Sequence, residues 1–303
     1  MTFCYRIYGL NVLSTLEFPE LDVADPVSVV DITIEFGLLP AALPTVEAQG
    51  PVWQFGSGQF LLAIPNVARY LINQGRQILI DAEPNTALGD IRLYLLGSVF
   101  GVLLHQRGFL ALHASAIEVN GRVIAFAGHS GAGKSTLVAH LRQRGYRVLS
   151  DDLLVVDFDN SGNSIAHSSF ARLKLWADAL QHIEHAPELL VRDHSRLEKF
   201  HLQLDRHQPD IPLPLGAVFV LEANEVDDEI HIETLRGLDA VDNIVLNTYR
   251  LRFLKAMGFA QKHFAHCSRV ASRASVFRIR RPKMIGQMDA VLDALEVAWS
   301  PLS

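Results

Sequence analysis

The sequence predicts an α/β fold: a P-loop core in which strands alternate with helices, preceded by a β-rich N-terminal region. Three observations carry this. A G-x-x-x-x-G-K-[ST] run, Gly128 to Ser135, stands between an apolar strand and a helical stretch. The apolar pattern changes from strand alternation to strand–helix alternation once past the first 85 or so residues. The 303 residues are 49% hydrophobic and 20% charged, the balance of a globular chain long enough for a sizeable core. The expected division is 1–85, a β-rich region, and 86–303, the P-loop core, with the boundary falling between residues 85 and 110.

In chain order, Val30 to Phe36 alternates apolar and polar residues, as a half-buried strand does. Pro40, Pro44 and Pro51 punctuate a loop. Ala68 to Ile72 and Gln77 to Asp81 flank Asn73-Gln74-Gly75, a hairpin signal. Thr86 to Gln106 reads as a helix stopped at Gly108, and its apolar stretch Leu93 to Leu104 is too short to span a bilayer. Ile117 to Val119 and Val123 to Ala127 form strands about an Asn120-Gly121 turn. Lys134 to Arg144 is a helix stopped at Gly145. Strands follow at Tyr146 to Leu149 and Ala217 to Leu221, a helix at Asp239 to Met257, a strand at Val276 to Ile279 and a closing helix at Met284 to Trp299.

Charge and cysteine content narrow the function. A net charge of -6 gives no support to a broad nucleic-acid surface, which needs a basic excess. Cys4 and Cys267 lie far apart and in no CxxC pattern, so a reducing, cytoplasmic setting is expected. The first residues carry no basic stretch followed by an apolar core, so no secretory signal and no membrane partner are expected.

The segment Val123 to Ala127 leads into Gly128, His129, Ser130, Gly131, Ala132, Gly133, Lys134, Ser135 and Thr136. Glycines here let backbone N–H groups turn inward around phosphate oxygens, and the following helix adds its positive end. Lys134 is placed to reach β- and γ-phosphates, and Ser135 to ligate Mg²⁺. The plain alternative is a glycine-rich turn with an incidental lysine. Asp151 and Asp152 follow the next strand. If that strand runs parallel to the one before the loop, both carboxylates emerge at the edge where α/β sheets bind ligands. One can then serve the metal while the other accepts a proton from an attacking hydroxyl, which suits a kinase better than a plain ATPase. The alternative is a solvated loop with a capping aspartate.

These residues resemble the HPr kinase/phosphorylase family. The likeness runs through His113-Ala114-Ser115-Ala116, the P-loop, and Arg144-Gly145-Tyr146-Arg147-Val148-Leu149-Ser150-Asp151-Asp152. It implies an HPr-kinase-like core with a mixed sheet and flanking helices. It also implies ATP as donor, Mg²⁺ as cofactor and a serine of a small protein partner as acceptor, with a homo-oligomer possible. By this resemblance Asp151 is the general base, Asp152 and Ser135 are the Mg²⁺ ligands and His113 sits near the phosphates, with the order of the two aspartates open to exchange. Tyr5 to Leu10 and Leu173 to Trp176 look like the HPr-kinase-like proteins associated with lasso-peptide biosynthesis, which phosphorylate a peptide serine. The second family signature, E-[IV]-R-G-x-G, is absent after Asp152; Arg236-Gly237 is the nearest fragment. That departure favours a peptide acceptor and puts HPr and the reverse reaction in doubt.

Other candidates have bland alternatives of equal or greater weight. His113 reads equally as a core histidine at a strand end. Arg250 is the candidate for meeting charge on the transferring phosphoryl group, yet Arg250, Arg252 and Lys255 also read as the solvent face of a helix. Arg196 and Lys199 read as a substrate-closing stretch or as a charged loop. His182, His185, His194, His201 and His207 show no zinc spacing. Arg278-Ile279-Arg280-Arg281 reads as an edge or surface patch. The resulting expectation is an ATP- and Mg²⁺-dependent serine kinase acting on a peptide or small protein, its acceptor site shaped by the N-terminal region. The rivals are an HPr-type protein kinase, a small-molecule kinase, a nucleotide-driven ATPase switch and a scaffold without turnover.

Overall fold

The computed structural model describes residues 1–25, 29–168, 172–176, 190–194, 197–203, 211–223, 229–281 and 287–302. They fall into two compact units, Met1–Ala111 with Arg250–His263, and Leu112–Tyr249 with Phe264–Ser303.

The first unit is built on an eight-stranded sheet. Its strands are β1 (Phe3–Ile7), β2 (Leu10–Ser14), β3 (Ile32–Phe36), β4 (Ala48–Gly50), β5 (Trp53–Gly56), β6 (Gln59–Ile64), β7 (Ala68–Asn73) and β8 (Gln77–Ala82). The order is β1-β2-β3-β8-β7-β6-β5-β4. Tyr8 and Gly9 both take positive φ, the twist a two-residue hairpin requires between β1 and β2. The Asn73-Gln74-Gly75 hairpin forms, with β7 and β8 antiparallel. Helix α1 (Leu88–Tyr94), a π turn (Leu95–Val99) and α2 (Phe100–Arg107) form one rod, closed by Gly108 in the left-handed region. By length and composition Leu88–Arg107 is apolar enough to cross a membrane, but 61% of its most apolar window is buried inside the fold. Phe100 to Leu104 are buried, and Tyr70, under the rod, donates its hydroxyl to the Ile91 carbonyl at 3.0 Å. The returning segment supplies Phe253, whose ring meets Phe60 at 5.0 Å and Trp53 at 5.7 Å.

Short strand β9 (Leu110–Leu112) carries the chain onward. The second unit contains β10 (Ala114–Val119), β11 (Arg122–Ala127), α3 (Lys134–Gln143), β12 (Arg147–Ser150), β13 (Leu154–Phe158) and β14 (Ser164–His167). Strands β15 (Arg172–Trp176), β16 (Leu190–His194) and β17 (Leu197–Gln203) make a separate three-stranded sheet in the order β15-β17-β16. The main sheet is mixed. Strand β10 lies antiparallel to both β11 and β12, so those two run the same way. Strand β18 (Leu213–Ala223) lies parallel to β11. It is also parallel to β20 (Ser275–Arg281), whose far side is covered by antiparallel β19 (His231–Leu235). The C-terminal ends of β11, β12, β18 and β20 therefore share one sheet edge. Leu137 and Leu141 of α3 pack on Phe126, Phe219 and Ile279 of the sheet. The same cluster takes in Leu292, Leu295 and Trp299 from the closing helix α7 (Met288–Trp299).

One expected element divides. Asp239 to Met257 is not a single helix but α4 (Gly237–Leu246) and α5 (Leu251–Ala256). Between them, Thr248 forms a bridge with Leu112, and the Asn247 carbonyl accepts the His113 N–H at 2.8 Å. Strand-type pairing takes backbone groups that a helix would need, and Arg250 restarts the chain with φ 53. A further helix, α6 (Ala260–Arg273), buries the stripe His263, Cys267, Val270. Burial pushes the Cys267 thiol up to about 12, so it stays protonated.

Candidate active site at one sheet edge

The site starts from β11, whose residues Val123 to Ala127 are all buried. The chain leaves this strand at Gly128 with φ 148, where an added Cβ would stand 2.9 Å from the Leu221 carbonyl of neighbouring β18. Only glycine fits there, for conformation and for space. The crest His129-Ser130-Gly131 is exposed, Ala132 and Gly133 are half-buried, and α3 begins at Lys134. Gly133 precedes the helix with φ 83 and no capping side chain, and a helix start of this kind is where an anion binds.

Lys134 is buried. Its Nζ donates to the Gly128 carbonyl at 2.8 Å and the His129 carbonyl at 3.1 Å, and stands 3.1 Å from His113 Nε2. His113 Nδ1 in turn lies 3.0 Å from the Asp152 carbonyl and 3.1 Å from Asp152 Oδ1. With the ammonium donating to Nε2, the network assigns His113 the tautomer protonated at Nδ1. Asp152 takes φ 75. That left-handed turn, which aspartate tolerates better than most residues, directs its carboxylate to His113.

Asp151 faces a different set. Its Oδ1 accepts from Ser115 Oγ at 2.6 Å and from Ser135 Oγ at 2.9 Å, and the residue is buried. The two carboxylates thus belong to two networks, one with the loop serine and one with the histidine and lysine. Consecutive residues leaving β12 point apart, as a strand end requires.

Of the residues singled out in the sequence, His113, Lys134, Ser135, Asp151 and Asp152 come together here. Thr136 is half-buried on α3, its carbonyl 2.8 Å from His140 Nδ1. Arg250 belongs to the other unit and is exposed, as are Arg252, which lies over the Phe253 ring, and Lys255. Arg196, His182, His185 and His207 lie outside the described residues, as do the side chains of Lys199, His194, His201 and Trp176.

Two residues of the site escaped the sequence reading. Ser115 falls two positions after His113 on β10, hence on the same face, and that spacing was the available signal. Arg281 is the other. The patch at residues 278–281 is not at an edge, since β20 lies between β18 and β19. Arg278 and Arg280 pair with Glu222 and Glu233, whereas Arg281 is buried and donates to the Ala132 carbonyl at 3.0 Å.

No family model matches the chain. Over 56 residues it is 43% identical to the HPr kinase/phosphorylase of Treponema pallidum, and the same match recurs in two strains of that organism. That stretch is 18% of this chain and 17% of each relative, so the chain spans under a fifth of the length of the curated relatives it matches. A solved structure of an Hpr(Ser) kinase/phosphatase from Coxiella burnetii aligns at 13% identity over 63% of this chain and 90% of that one, with a TM-score of 0.33. Part of the chain is therefore similar in sequence to an HPr kinase/phosphorylase.

Proposed function

We propose that this chain is an ATP- and Mg²⁺-dependent serine kinase whose acceptor is a peptide or small protein, of the kind represented by lasso-peptide precursors. The observation that carries the reading is the pair of separate carboxylate networks beside one glycine-rich loop: Asp151 on Ser135, and Asp152 on His113. A hydrolase needs a metal carboxylate and a positioned water; a second carboxylate with its own orienting histidine suits an acceptor hydroxyl.

The contacts support roles exchanged from the first expectation. Ser135 is the loop hydroxyl suited to Mg²⁺, and its hydroxyl donates to Asp151 at 2.9 Å, so Ser135 and Asp151 are the residues that would hold the metal. When bound, Mg²⁺ neutralises phosphate charge. Asp152 is half-buried and contacts His113, which supports it as the group that accepts the serine hydroxyl proton. His113 fixes the direction of that carboxylate. Lys134 exchanges its loop-carbonyl partners for phosphate oxygens, and the N–H groups of Gly131 to Ser135 line the anion's path.

The test is incubation of the full chain with ATP, Mg²⁺ and serine-containing peptides encoded beside its gene, read by intact mass. One added phosphate on a serine is expected, and none with Lys134→Ala. Phosphate released to solution with no modified peptide would assign the site to hydrolysis.

A further inference from the structure

Arg281 ends β20, about 150 positions after the loop it touches, and does not belong to the glycine-rich motif. Its side chain is 6% exposed. A buried guanidinium carries a desolvation penalty, and burial pulls its pKa down from the usual arginine value. Such a cation is retained in a fold only where a specific contact or charge calls for it. Its terminal nitrogen donates to the Ala132 carbonyl at 3.0 Å. A Cβ added at Gly133 would stand 2.5 Å from that same nitrogen. The absence of a side chain at 133 therefore does two things: it permits φ 83, and it leaves room for the guanidinium against the loop.

The peptide joining Ala132 to Gly133 is trans and planar, so its C=O and N–H point in opposite directions. Pinning the Ala132 carbonyl on Arg281 fixes the Gly133 N–H on the opposite side. We propose that Arg281 is a positioning residue for the phosphate cradle: it locks the Ala132–Gly133 peptide so that the Gly133 N–H faces a nucleoside triphosphate. Arg278 and Arg280 of the same strand pair with Glu222 and Glu233 rather than with the loop. The inference rests on the nucleotide reading of the loop.

Calorimetric titration of ATP with Mg²⁺ into the full chain tests it, beside the melting temperature of each nucleotide-free variant. Arg281→Met is expected to raise Kd about 10- to 100-fold, the usual worth of a charged hydrogen bond. Arg281→Lys is expected to recover part of this, since an ammonium keeps a donor for the Ala132 carbonyl but not the fork geometry. A structural role would instead lower the melting temperature and leave Kd within about twofold of wild type, and that result overturns the proposal. Should Arg281→Met fail to fold, Arg281→Gln carries the same criterion. Wild-type binding with unchanged binding by the Arg281 variants faults this inference alone. A wild-type chain that binds no ATP faults the nucleotide reading as well.

Discussion

The two units bury different things. Among the described residues, the buried polar groups of the first unit are Ser14, Ser98, His105 and His263, with no Lys, Arg, Asp or Glu among them. The second unit buries Lys134, Asp151 and Arg281, and all three stand where β11, β12, β18 and β20 end. Burying a charge is expensive unless it is paired, and replacing buried ion pairs by apolar groups is often neutral or stabilising. A fold seeking only stability would have filled that edge as it filled the space around Phe60 and Tyr70. The contrast separates a unit organised by apolar packing from a sheet edge that buries charged groups. It also sets out how each should fail when altered.

The largest expected effect is on transfer. Lys134→Ala should remove phosphoryl transfer below detection in a chain that still folds. Circular dichroism and a peptide-phosphorylation assay check this; transfer at the wild-type rate by a folded Lys134→Ala chain would take away the chemical meaning of the contrast. Next comes the first unit. Phe60→Ala should destabilise the chain by about 3–5 kcal/mol in denaturant titration. The transfer rate per folded molecule should be unchanged. Loss of rate without loss of stability there would erase the division of labour.

A smaller effect sharpens the comparison within the site. Ser115→Ala removes a hydroxyl donor to Asp151 Oδ1, a charge-assisted bond worth about 1.5–3 kcal/mol. It should raise the Mg²⁺ concentration for half-maximal rate and leave the saturated rate close to wild type. A lowered saturated rate at unchanged Mg²⁺ dependence would place Ser115 on the acceptor side instead. The smallest effect is Tyr70→Phe, which strips a hydroxyl from the Ile91 carbonyl and should cost about 1 kcal/mol of stability with no kinetic consequence.

What was legible in the sequence was local. The strand, glycine loop and helix from Arg122 to Gln143 follow from contiguous residues, as does the hairpin about Asn73-Gln74-Gly75. The adjacency of Asp151 and Asp152 pointed to a candidate site, and the parallel run of β11 and β12 brings them to the sheet edge beside the loop. What was not legible depends on partners far along the chain. Nothing between Asn247 and Arg250 signals a helix break; Leu112 and His113 impose it by pairing with that backbone. Helix α6 hides because histidine and cysteine occupy its buried stripe at His263 and Cys267, where a periodicity reading looks for leucine. Arg281 hides behind Arg278 and Arg280. Its inward direction follows from sharing the face of Ile279 two residues earlier, but a charge on a core-facing position reads as surface until the loop beside it is seen. The proposed division of the two aspartates likewise rests on contacts that no contiguous stretch reveals: Ser115 and Ser135 on Asp151, His113 on Asp152.

The division of the two carboxylates is the central claim, and Mg²⁺ titration of the transfer rate in Asp151→Asn and Asp152→Asn tests it most directly. Asp152→Asn should transfer about 10²–10⁴-fold more slowly at every Mg²⁺ concentration, the usual worth of a positioned proton acceptor, with ATP affinity retained. Asp151→Asn should need more Mg²⁺ and recover much of its rate once saturated. Wild-type rates in both variants, at limiting and at saturating Mg²⁺, would contradict the account and leave the pair as a feature of the loop.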